Sequence, residues 1–134
     1  MKYIITITLL ILNFSIKAKS QTWGDSSFKR QPMFYAVEEP PKFPGGISGY
    51  YKFIADNLKM PNNKFSTLSN KLATVYIFID TIGKIRFAEI EKGINDNYNT
   101  EIMEMIKQMP NWSPGLQNGR PVPIAISLPI LFVD

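Results

Sequence analysis

ATVYIFIDTIGKIRFAEIEK, residues 73–92, decides the fold. Ala73, Val75, Ile77 and Ile79 alternate with Thr74, Tyr76, Phe78 and Asp80, the period-two pattern of a strand with one face on a core. Asp80-Thr81-Ile82-Gly83-Lys84 then reads as a hairpin loop, because glycine accepts the positive φ required at the last turn position. Asp80 is placed to cap that turn with its own side chain. Ile85 to Lys92 returns as the second strand, with Ala88 and Ile90 toward the core, and Gly93 closes it.

Working outward, Ile47, Tyr50, Tyr51, Ile54 and Leu58 recur at helical spacing before the hairpin, and Met60-Pro61 stops that helix. Asn62 to Asn70 reads as a loop. After the hairpin a second helix is expected to begin near Asn99, with a Tyr98–Met103 staple. Its buried stripe would be Ile102, Met105, Ile106 and Met109, and Pro110 ends it. Trp112-Ser113-Pro114-Gly115 forms a turn in which Trp112 seals the junction of helix and sheet. A long last strand should follow from Pro121 to Phe132. Pro123 and Pro129 cannot donate to a ladder, so that strand is expected at a sheet edge or with a bulge. The fold class is therefore α+β, a small antiparallel three-stranded sheet with two helices on one face, in the order α-β-β-α-β.

Residues 1–20 read as a signal peptide. Lys2 precedes an apolar run from Tyr3 to Leu12, and Ala18-Lys19-Ser20 suits cleavage before Gln21. The alternative, an uncleaved anchor, needs about 20 apolar residues, and this run stops earlier. Residues 21–36 form a lead-in, expected to be extended or mobile apart from Met33–Val37, which is apolar enough for a short strand. Residues 37–134 make the domain.

The net charge is +4, but Lys2, Lys17 and Lys19 lie in the first twenty residues, leaving 12 basic against 11 acidic side chains. That gives no electrostatic footprint for nucleic acid. The chain has no cysteine and no histidine. Common zinc sites and His-based nucleophile systems are excluded, so no catalytic residue, metal ligand, cofactor or small-molecule substrate is expected. Glu38-Glu39 reads as solvated loop charge, and Glu89 and Glu91 as the solvent face of the sheet. Tyr76, Phe78 and Phe87 would sit on that outer face, to be covered by the lead-in or by a protein partner.

Phe43-Pro44-Gly45-Gly46 ahead of a helix, the Asp80–Lys84 hairpin, Trp112-Ser113-Pro114-Gly115, Gly119-Arg120-Pro121-Val122 and Pro129-Ile130-Leu131-Phe132 together resemble the TonB C-terminal domain. The likeness covers about Val37 to Val133. It implies a periplasmic module that grips a peptide of an outer-membrane receptor, or of another envelope protein, by strand addition at its last strand. Carried onto this chain, the partner-binding residues would be Arg120, Val122, Ile124, Ala125, Ile126, Ser127 and Leu128. Members of the family transmit energy for transport across the outer membrane. A lead-in of about twenty residues, at about 3.3–3.6 Å each, cannot cross the periplasm. A stand-alone module is thus expected, envelope-associated or free, and a homo-oligomer is compatible with it. The second reading is a structural or regulatory envelope protein that keeps the fold without binding a TonB box.

Overall fold

The computed structural model describes residues 21–60 and 71–132. The expected signal peptide and the loop at Asn62–Asn70 lie outside the described residues. Strand β1 (Thr22–Gly24) and a 3₁₀ turn (Ser26–Arg30) precede helix α1 (Gly46–Asn57). Strands β2 (Leu72–Ile79) and β3 (Ile85–Lys92) form the hairpin, and helix α2 (Asp96–Lys107) follows. Strands β4 (Gly115–Gln117), β5 (Arg120–Val122) and β6 (Ile124–Leu131) complete the chain.

The main sheet runs β1-β3-β2-β6 and a separate ribbon pairs β4 with β5. The antiparallel sheet and two helices are thus present, but the sheet has four strands rather than three. The extra strand is drawn from the lead-in: Thr22, Trp23 and Gly24 pair with Glu89, Ala88 and Phe87. The rest of that segment is ordered too. Phe28 stacks on Phe78 with ring centroids 5.1 Å apart, Lys29 pairs with Glu89, and the Tyr76 hydroxyl meets the Met33 sulfur at 3.2 Å. The aromatic outer face is therefore covered by the chain itself. Met33–Val37 contributes an isolated bridge at Phe34 rather than a strand.

One face of the hairpin is the floor of the core. Ala73, Val75, Ile77, Ile79 and Ala88 are fully buried, and Tyr50, Ile54, Ile102, Met105 and Ile106 from the helices join the same cluster. Ile47 and Tyr51, expected on the buried stripe of α1, are 72% and 54% exposed. Helix α2 starts earlier than Asn99. Asn95 is its N-cap and accepts from the Tyr98 N–H, leaving Asn99 buried one turn inside. There its side chain accepts from the Ile94 N–H at 2.9 Å.

Asp80 caps the hairpin as expected, accepting from the Ile82 and Lys84 N–H groups at 3.0 and 2.9 Å and from Arg86 at 2.6 Å. Burial pushes its carboxyl upward, but the bonds from Arg86, Lys84 and Ile82 outweigh it and hold the group below its ordinary value of 3.8. A depressed folded-state pKa contributes stability above the ordinary value that is lost as pH falls through the folded one. The stability gap between wild type and Asp80→Asn should therefore be full at pH 7 and shrink as the pH falls below the ordinary value of 3.8. Urea midpoints of both proteins across that range check this; a gap that does not change with pH refutes it.

Candidate functional site

The last strand is broken. Pro123 separates β5 from β6, so Arg120 and Val122 pair with Gln117 and Gly115 in the small ribbon and do not lie on the sheet edge. Of the expected partner-binding residues, Ile124, Ala125, Ile126, Ser127 and Leu128 remain together on β6. Within the main sheet that strand pairs only with β2, so its other side is an edge.

Backbone bonding fixes which groups face that edge. The Phe132 N–H donates to the Lys71 carbonyl, toward β2. Backbone groups of successive residues point to opposite sides of a strand. Ile124, Ile126, Leu128 and Ile130 thus turn toward β2, and Ala125, Ser127, Pro129 and Leu131 turn outward. The bridge to the lead-in agrees: Ala125 N–H donates to the Phe34 carbonyl at 3.0 Å, and Phe34 N–H donates to the Pro123 carbonyl at 3.1 Å. Both prolines occupy outward positions, where a missing N–H costs no ladder bond.

The edge is partly occupied. Phe34 takes its beginning. Further along, the Tyr50 hydroxyl of α1 donates to the outward Pro129 carbonyl at 3.0 Å. Burial, with the neighbouring Tyr51 adding to it, raises the Tyr50 pKa far above the ordinary range, so the hydroxyl remains a donor. Between and beyond these contacts, Ser127 and Leu131 present outward backbone groups with no partner among the described residues. The Ser127 hydroxyl is engaged with Glu91 at 2.8 Å. The open stretch is therefore Ser127–Leu131, interrupted at Pro129. Ile124, Ile126 and Leu128 serve the inner ladder and the core.

Beside the open stretch lies a groove of about 280 Å³, walled by Pro41, Phe43, Ile47, Tyr50, Trp112 and Leu128. Two residues of this site, Phe34 and Tyr50, carry no motif that assigns them to an edge; each reaches it through tertiary packing. Glu38, expected as free loop charge, instead accepts from the Asn118 N–H at 3.1 Å and its own N–H donates to Gln117. Among the described residues no cluster of three or more Asp, Glu, His or Cys could hold a metal, and no helix is long and apolar enough to cross a membrane. No family model, curated protein or solved structure matches this chain.

Proposed function

We propose that this domain is a periplasmic peptide-binding module of the TonB C-terminal type, associated with transport across the outer membrane. It would engage a segment of an outer-membrane receptor, or of another envelope protein, by adding a strand to the open part of β6. The observation that carries this is the pair of outward backbone positions, Ser127 and Leu131, left open on an edge strand. Unpaired edge groups are a template for an incoming chain, and their bonds supply affinity without requiring a particular sequence. The resemblance of the sequence motifs to that family supports the assignment of partner class.

A second reading has its own support. Phe34 already caps the start of the edge and Tyr50 holds Pro129, as in a domain that keeps the fold for structural or regulatory ends. Proline substitutions separate the two. Ile126→Pro removes an inner ladder donor and should cost about 3 kcal/mol or more, by analogy with proline in other regular structure. Ser127→Pro removes an outward N–H and the exposed hydroxyl bond to Glu91 but no ladder bond, so it should fold much like wild type and lose the envelope protein that wild type captures. Ser127→Pro that folds and captures that protein undiminished would leave the second reading standing.

A further inference from the structure

We infer that Asn118 is a site of spontaneous chemical modification: it deamidates in the folded protein, and the charge it gains loosens the clasp that ties the lead-in to the β4–β5 ribbon. The inference is independent of what β6 binds, so either can fail alone.

Asn118-Gly119 is the one asparagine–glycine pair in the chain. It forms the two-residue turn between β4 and β5, flanked by the Gln117–Arg120 pair. Both φ angles are positive, at 51° and 71°, a conformation that asparagine and glycine tolerate best. Both residues are exposed. The Asn118 backbone N–H donates to Glu38, but its side-chain amide and the Gly119 N–H have no partner among the described residues. A Cβ on Gly119 would meet nothing within 4 Å, so the outer side of the turn is open. The other asparagines differ. Each is followed by a residue with a side chain, which hinders attack on the preceding amide, and Asn95 and Asn99 have their side-chain oxygens engaged.

The chemistry needs only water, and asparagine is among the thermolabile residues. The Gly119 nitrogen, giving up its proton to base, attacks the side-chain carbonyl carbon of Asn118. The new N–C bond closes a five-membered imide. The bond from that carbon to the side-chain nitrogen breaks, and the nitrogen takes up a proton and leaves as ammonia. Water then opens the imide at one of its two carbonyls. One route gives aspartate, and the other gives isoaspartate, whose main chain runs through the former side chain.

The neighbours of the turn make the product matter. The Glu38 carboxylate accepts from the Asn118 N–H at 3.1 Å and from the Gln117 side-chain amide at 3.4 Å. The Glu38 N–H donates back to the Gln117 side chain at 3.1 Å. Next along the lead-in, Glu39 and Leu116 exchange backbone bonds of 3.1 and 2.8 Å. Glu38 makes no ion pair among the described residues. A carboxylate gained at position 118 therefore arrives beside one that no cation offsets, and the two repel. The isoaspartate route also adds a carbon to the main chain, which a two-residue turn cannot absorb without disturbing the Gln117–Arg120 pair.

The test ages the full chain in mildly alkaline buffer, folded and in guanidinium chloride, and follows each asparagine by peptide mass spectrometry. Labelling with isoaspartate methyltransferase separates the two products. In the folded chain Asn118 should convert several-fold faster than any other asparagine, at a rate within a few-fold of that in denaturant. Gly119→Ala, whose added methyl meets no neighbour, should slow the conversion several-fold. For the clasp, ¹⁵N-labelled Asn118→Asp should exchange its Glu38 and Glu39 amide protons several-fold faster than wild type, with the core amide of Ile77 unchanged as reference. The same substitution made in a Glu38→Gln chain should have little effect, because the repulsion needs both charges. The inference is overturned if Asn118 survives in the folded chain while it converts in denaturant, or if Gly119→Ala converts as fast. It is likewise overturned if Asn118→Asp leaves exchange at Glu38 and Glu39 as it was, or speeds it equally without the Glu38 charge.

Discussion

Replacing Trp112 with alanine is expected to cost about 3 kcal/mol of folding stability, the lower end of the range for truncating a large buried aromatic. Its ring meets Phe43 edge-on at 5.4 Å between centroids and Tyr50 at 6.2 Å, closing the junction between α1 and the sheet. Truncation removes that burial and leaves a cavity. It also deletes the Nε1–H, a buried donor with no partner among the described residues, whose desolvation costs about 1–3 kcal/mol and offsets part of the loss. Trp112→Phe separates the two effects: it drops the donor, keeps most of the packing, and should lie much closer to wild type. Urea unfolding of both variants checks this. A loss below about 1 kcal/mol for Trp112→Ala would show that the ring does not seal the junction.

Gly83→Ala should be at least as damaging, although it adds a single methyl. Gly83 has φ +83°, which an L side chain adopts at a cost of about 1–2 kcal/mol. A Cβ there would lie 1.6 Å from the Trp112 carbonyl oxygen, so the backbone must move. The same two residues are joined by the Trp112 N–H donating to the Gly83 carbonyl at 2.8 Å, so the movement strains that bond as well. Strain and forced repacking together come to about 4 kcal/mol. Gly119→Ala is the control. Its φ is also positive, at +71°, but a Cβ there meets nothing within 4 Å, so only the conformational cost applies. Equal losses at the two positions would mean that the contact with Trp112 contributes nothing.

The hairpin was legible because its alternation is uninterrupted and both strands bury the same side. Strand β1 was not. Three residues carry too little pattern, and Thr22–Gly24 becomes a strand only because the β3 edge is there to receive it. Helix α2 was misplaced by one turn because Asn95 and Asn99 are both competent caps. The choice falls to Asn95, and Asn99 is spent on the Ile94 N–H against Gly93. The two prolines correctly placed the last strand at an edge, and Pro123 also divided it, which removed Arg120 and Val122 from the site. Which residues face outward depends on a register with β2 that no local signal encodes. The contacts of Phe34 and Tyr50 with that edge join residues far apart in the chain, which is why alternation and turn chemistry could not announce them.

The clasp between lead-in and ribbon also bears on folding, because it is built from contacts between distant parts of the chain. Glu38 bonds Gln117 across a separation of 79 residues, and the bridges at Phe34, Glu39 and Lys42 span comparable distances. None of these contacts can form until the last quarter of the chain is available. The hairpin and helices, built from near neighbours, have no such delay, since contacts between distant residues are the slow ones. The edge of β6 is therefore expected to form before Phe34 covers it.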